Sequence, residues 1–259
     1  GGLLGVRLIN RRTGAMMPTE LGQDLANKLA EGFDKLDEAL QTLDAPGAAS
    51  FGEVRINAFS DAAHLLIAPA LPEFAETFPD VNLGIIVENR PIDIVAEGYD
   101  AGIRYGHLVP EDMVAVALSG PQRWVVAAAP NYLARHGKPD TPEDLGNHTC
   151  LQLLLGDNSR FPWELGTGPD QKSYRVPGHI TIQDTATTIS AAKAGLGLAY
   201  LLESRIAEEL ANGQLEIVLE DYASTDDPFH MYYSSRHNNH PGLRGLINII
   251  RKQNGLSRI

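Results

Sequence analysis

Two hydroxyl–carboxylate pairs mark where this 259-residue chain could hold a small molecule. Ser60-Asp61 follows the alternating apolar run Val54, Ile56, Ala58, and Asp184-Thr185 follows the run His179 to Gln183. Each pair opens a stretch of helical pattern, where a helix start leaves backbone N–H groups unpaired. The hydroxyls can hydrogen-bond a polar ligand, and the helix ends favour an anionic one. The same residue types cap helices, a role in which Ser60 and Asp184 would each contribute about 1 kcal/mol. Both readings stand on the residues alone. Asp61 and Asp184 also bring negative charge to where a carboxylate would dock, so a polar or neutral ligand stays open.

Catalytic chemistry finds no comparable footing. The chain contains no G-x-S-x-G elbow, Walker A loop, dinucleotide fingerprint or H-E-x-x-H. Its eight histidines are scattered, and His148, Cys150, His237 and His240 lack the spacing of a zinc module. No enzyme activity, catalytic residue, metal or cofactor is therefore expected. Cys150 is the single cysteine, which excludes an intrachain disulfide, suits a reducing compartment and, within an apolar strand, reads as an inert thiol.

The formal charge of −12 argues against gripping nucleic acid over the whole surface, because that grip rests on Lys and Arg neutralising phosphates. Any DNA contact must be local. Arg7, Arg11 and Arg12 fall in the first nineteen residues, with no acidic residue among them. The longest apolar runs, such as Trp124 to Ala129 and Leu196 to Leu202, are far shorter than the roughly 20 residues of a membrane span. With no secretory signal at the start, a cytoplasmic location without membrane contact is expected.

Leu21, Leu25, Leu29, Phe33, Leu36, Leu40 and Leu43 recur by fours and threes, predicting an amphipathic helix over residues 19–45 with Thr19 as N-cap. Such a narrow stripe needs a partner, either the helix's own domain or a second copy along a heptad-like seam. Pro46 to Ser50 then reads as a linker. From Glu53 onward strands alternate with helices: a helix from Ser60 toward Phe78, a strand from Val81 to Val87, a helix from Pro91 to Gly98 and a strand from Ala101 to Tyr105. The pattern repeats after Gly120-Pro121, and Phe229 to Ser234 and Gly242 to Lys252 close the chain as strand and helix. This predicts two α/β subdomains built on largely parallel sheets.

Several segments resemble one family in the right order. Leu4 to Arg11 and Thr19-Glu20-Leu21-Gly22 are similar to the close of a winged helix-turn-helix. Asp93 to Gly106 (DIVAEGYDAGIRYG) is similar to D-L-V-x-x-G-x-D-x-A-I-R-x-G, and Ala192 to Ala199 (AKAGLGLA) to V-x-A-G-L-G-I-A. With Ala129-Pro130-Asn131-Tyr132-Leu133 they cover nearly the whole chain and resemble the LysR-type transcriptional regulators. Ile9, Pro18 and Leu21 depart from the usual residues, and Gly14 stands where a basic wing residue is common.

The resemblance implies an α/β, two-subdomain, periplasmic-binding-protein-like effector domain, preceded by a long linker helix and the remnant of a winged helix-turn-helix. Its expected bounds are 1–18 for the wing, 19–46 for the linker and dimerisation helix, 51–119 with 226–259 for subdomain 1, and 120–225 for subdomain 2. Only three residues precede Leu4, so the recognition helix is expected to lie outside the chain. Arg11, Arg12 and Thr13 are then the candidates for DNA contact, with a solvated turn as the alternative. Ser60, Asp61, Gly106, His107, Gln152, Asp184, Thr185 and Leu201 are the candidates for the effector cleft. Arg104 is expected to be a structural ion-pair partner. Leu25, Leu29, Phe33, Leu36 and Leu40 would form the dimer seam of a homodimer or homotetramer. The implied function is a DNA-binding regulator controlled by a small-molecule effector; a solute-binding protein of a transport system is the alternative.

Overall fold

The computed structural model describes residues 9–12, 15–19, 21–26, 28–29, 32, 52–90, 92–235 and 240–259. The chain divides into two compact units, Gly1–Ala49 and Ser50–Ile259.

In the first unit β1 (Ile9–Arg12) pairs antiparallel with β2 (Ala15–Pro18), and Arg12 stands opposite Ala15. Thr13 lies outside the described residues. Thr19 begins the next helix as the sequence predicts: its Oγ1 accepts the Gly22 N–H at 3.0 Å. Residues 21–26, 28–29 and 32 are helical. Leu25 is half-buried, whereas Leu21 and Leu29 are 51% and 52% exposed. Phe33, Leu36, Leu40 and Leu43 lie outside the described residues.

The strands of the second unit are β3 (Gly52–Ala58), β4 (Val81–Val87), β5 (Ala101–Tyr105), β6 (Val114–Ala117), β7 (Gln122–Ala128), β8 (Cys150–Leu153), β9 (Trp163–Leu165), β10 (Lys172–Tyr174), β11 (Thr181–Ile182), β12 (Leu198–Leu202), β13 (Glu216–Val218), β14 (Ser224–Asp226) and β15 (Phe229–Tyr233). One sheet has the order β4-β3-β5-β15-β6, and a second the order β11-β8-β12-β7-β13, with β14 also on β7. Both are mixed, which corrects the expectation of largely parallel sheets. Strands β3, β4 and β5 run parallel, as do β8, β11 and β12. Strands β7 and β15, where the chain changes sheets, run antiparallel to their neighbours because no crossover helix returns the chain to its starting edge.

The helices are α1, which runs through Ser60–Ala62, a π-helical turn Ala63–Ile67 and Ala68–Thr77, then α2 (Pro130–His136), α3 (Thr185–Lys193), α4 (Ala207–Ala211) and α5 (Pro241–Gln253). The helix expected over Pro91 to Gly98 is instead a single turn, with Pro91 outside the described residues. Asp93 accepts the Val95 and Ala96 N–H groups at 3.0 and 3.1 Å, opening the turn. Gly98, at φ 74°, closes it at once, with Tyr99 N–H reaching Ile94 O at 2.8 Å.

Alternation decides what each sheet buries. In β7, Val126 and Ala128 join Tyr132, Leu133 and Trp163 on one face, while Val125 and Ala127 join Ile189 and Ile206 on the other. A sheet covered on both faces reads as an unbroken apolar run, which is the pattern of Trp124 to Ala129. In the first sheet Val54, Ile56 and Ile103 pack with Leu66, Phe74, Leu246 and Ile250 of α1 and α5. Gly102 faces the opposite way, where a Cβ would stand 2.5 Å from the Tyr232 ring.

Candidate ligand-binding cleft

The parallel strands of each sheet end at one edge, and the residues at those ends line a cleft of about 370 Å³. That volume suits a small organic molecule. From the first sheet come Phe59, Ser60 and Asp61 at the β3–α1 junction, Asn89 after β4, and Tyr105 and His107 at the end of β5. The second sheet contributes Trp124, alternate β8 residues Leu151 and Leu153, Thr185 and Thr188 of α3, Tyr200, Leu201 and Asp226. Trp124 and Tyr200 stack with centroids 4.9 Å apart.

Helix α1 starts at Ser60 because Phe59 is extended, and the Ser60 N–H is satisfied by Asn89 Oδ1 at 3.0 Å. Asp61, in the first turn, meets Arg205 with Oδ1 3.0 Å from Nε, and both side chains are nearly buried, at 13% and 10% exposure. Arg205 follows β12, so this pair joins the two sheets' elements across the cleft. Burial pushes the Asp61 carboxyl above its ordinary range, while a hydrogen bond with Thr185 and the Arg205 charge act against that.

A second polar link crosses from β5 to β14. His107 Nδ1 lies 3.3 Å from Asp226 Oδ1 and 3.4 Å from Asp227 Oδ2, and its ring stacks on Tyr105. Burial raises the Asp226 carboxyl, against the Asp227 N–H and His107. Deeper in, the Tyr200 hydroxyl donates to Glu164 O at 2.8 Å and lies 2.7 Å from Ser224 Oγ.

Ser60, Asp61, His107, Thr185 and Leu201 thus share one cleft, and three other candidates stand apart from its lining. Gln152 is turned to the opposite face of β8 by the two-residue period, where its amide donates to Val176 O and Gly178 O at 2.9 and 3.1 Å. Asp184 caps α3, its Oδ2 accepting Thr187 N–H at 2.7 Å and Thr187 Oγ1–H at 2.6 Å. These bonds hold the Asp184 carboxyl below its ordinary range. Gly106 is a turn residue whose N–H donates to Pro228 O at 3.1 Å.

Arg104 corrects another expectation, because its partners are neutral. The guanidinium donates to Asn57 Oδ1 and to Ile103 O, and lies 4.2 Å over the Phe59 ring. At 3% exposure, burial lowers its pKa. The residues set aside as a metal set have separate tasks. His148 bonds Tyr132, Cys150 is buried, and His240 caps α5, accepting Leu243 N–H at 3.4 Å; His237 lies outside the described residues.

Phe59, Asn89, Tyr105, Trp124, Arg205 and Asp226 were not singled out in the sequence. Phe59, Asn89 and Tyr105 follow or end parallel strands, so the strand-end rule alone could have found them. Arg205 is 144 residues from Asp61 and carries no local signal. Among the described residues no helix is long and apolar enough to cross a membrane.

Residues 48–255 match the family model described as the LysR substrate binding domain. The uncharacterized HTH-type transcriptional regulator YcaN of Escherichia coli (strain K12) is 34% identical over 248 residues, which cover 96% of this chain and 81% of that protein. A putative transcriptional regulator of Pseudomonas aeruginosa is 31% identical over 249 residues, covering 96% and 81%. Among solved structures, CrgA, a LysR-type transcriptional regulator from Neisseria meningitidis, superposes with a TM-score of 0.72 at 25% identity, covering 97% of this chain and 85% of that one.

Proposed function

The chain belongs to the family of LysR-type transcriptional regulators, and on that premise we propose that a small-molecule effector binds the cleft between its two sheets and changes their relative pose. The observation that carries this reading is the pair of polar links spanning the cleft, Asp61–Arg205 and His107–Asp226. A ligand that meets Ser60, Asp61, His107, Thr185 and Leu201 must also perturb those links. It therefore binds one pose more tightly than another, which is what allosteric control requires. No catalytic step is assigned to the cleft.

DNA is contacted locally in this reading. Arg11 and Arg12, on the β1 side of a hairpin, together with Thr13, meet phosphates or the minor groove beside the reading helix of the whole regulator. Two copies pair along Leu25, Leu29, Phe33, Leu36 and Leu40 as a homodimer, which two dimers extend to a homotetramer. The half-exposed Leu21 and Leu29 support the need for a partner. A regulator with one cysteine, buried, suits the cytoplasm.

Footprinting the full-length regulator on its operator while titrating metabolites tests the function. The boundary of protection shifts with the cognate metabolite, and Gln183→Trp, which fills the cleft from an exposed lining position, abolishes the shift. A footprint that no metabolite alters would end this reading.

A further inference from the structure

The cleft's walls and its charges point to one class of ligand. Phe59, Tyr105, Trp124, Phe161, Tyr200 and the leucines of β8 make it largely aromatic and apolar. Asp61, Glu164 and Asp226 line it, and among the described residues no lysine or arginine does. An anion entering this space meets three carboxylates, and among the described residues His107 is the one basic side chain in the lining.

The helix starts, which otherwise attract anions, are engaged in part by the chain itself. Asn89 Oδ1 takes the Ser60 N–H at 3.0 Å, and Asp61 lies in the same first turn of α1. At α3 the Asp184 carboxylate takes the Thr187 N–H at 2.7 Å, and its backbone carbonyl takes the Thr188 N–H at 3.0 Å. The carboxylates differ in what compensates them. Asp61 has Arg205, whereas Glu164 accepts the neutral Gln171 amide, at 3.1 Å. Asp226, with 29% of its side chain exposed, faces His107, which is charged only when protonated. Burial outweighs these partners at Asp226 and holds its carboxyl above the ordinary range, so a nearby cation would relieve an uncompensated desolvation.

We propose that the effector is an organic cation, a protonated amine on an aromatic or alkyl body, with its ammonium at the Asp226 carboxylate and its body among the Trp124, Tyr105 and Tyr200 rings. The inference rests on the reading of this cleft as the effector site. Ammonium groups gain from carboxylates and from aromatic faces together, which this lining supplies in one space. The amine takes the place of His107 as partner of Asp226, so occupancy opens the link between β5 and β14.

Matched thermal-shift and calorimetric titrations of the whole protein test the class. The probes are phenethylamine, hydrocinnamate and phenethyl alcohol, with hexylamine, hexanoate and hexanol as the alkyl set. The expected result is a saturable rise in Tm with an amine and none with its matched carboxylate. Asp226→Asn weakens amine binding by about tenfold, and Gln183→Trp removes it. If Asp226→Asn fails to fold, Glu164→Gln serves as the second variant and also weakens the amine. A carboxylate or alcohol that binds, with binding lost in Gln183→Trp, overturns the cationic class and leaves the cleft as the effector site. Amine binding unchanged by Gln183→Trp places the site elsewhere and overturns both. Silence from both amines overturns the cationic class, and operator footprinting then decides the cleft independently.

Discussion

Asp61 and Arg205 concentrate the electrostatic tension of the cleft. Removing one partner of a buried pair leaves the other uncompensated, a change that costs about 3 kcal/mol or more. Arg205→Ala is therefore expected to destabilise the protein by about 3 kcal/mol in urea unfolding at neutral pH. The pH dependence has a definite sign. Burial raises the folded-state pKa of Asp61 above 3.8, so folding favours its protonated form. That contribution is fully present below the unfolded value and is lost as pH rises through the folded one. Without Arg205, which lowers it, the folded value climbs further. The deficit of Arg205→Ala should shrink on mild acidification, and a deficit constant across pH would contradict this account. Cys150 gives a simpler prediction at the same scale. Burial pushes its thiol up to about 12, so a thiol-specific reagent should leave it unmodified in the native protein and label it fully after denaturation. Rapid native labelling would place the thiol outside the core.

At the scale of elements, the two passages between sheets are tied to one another. Ser119, between β6 and β7, accepts the Phe229 N–H of β15 at 3.0 Å and the Gln122 amide at 3.0 Å. It is 6% exposed, so Ser119→Ala leaves buried donors unsatisfied and should cost about 1–3 kcal/mol in chemical unfolding. A change under a few tenths would mean that water replaces the hydroxyl. Much of this layout was legible from the sequence. The alternation in Val54 to Ala58 reflects a strand with one deeply buried face, that in Val81 to Ile85 an edge strand whose apolar side chains are half-buried against the same core, and the run Trp124 to Ala129 a strand buried on both faces. The resemblance grouped 226–259 with 51–119, but the insertion of Phe229–Tyr233 between β5 and β6 was not legible, because its pairing partners lie more than a hundred residues earlier. Nor was the collapse of the Pro91–Gly98 pattern to one turn, which depends on Asp93 and Gly98 bracketing a segment too short to propagate. In the cleft, helix starts were visible as residue types, but Gln152 was misplaced by one step of a two-residue period. Capping and ligand contact look identical in sequence at Asp184, where the cap's geometry decides.

Across the whole molecule, regulation requires that the cleft have more than one pose and that a ligand distinguish them. The links Asp61–Arg205 and His107–Asp226 define the pose seen here, and both must adjust when a ligand's polar groups compete for their members. A ligand at 100 times its dissociation constant stabilises the bound pose by about 2.7 kcal/mol, enough to shift a balanced equilibrium almost completely. The direct test is a distance in solution between α1, packed on the first sheet, and β10, whose Tyr174 packs against the core of the second. Spin labels at Glu76→Cys on α1 and Lys172→Cys on β10 occupy exposed sites, and buried Cys150 should take no label. Pulsed electron resonance with and without a compound that raises the Tm is predicted to show a shifted inter-label distance. A distance distribution unchanged at saturating ligand would contradict the claim that effector binding moves one sheet against the other.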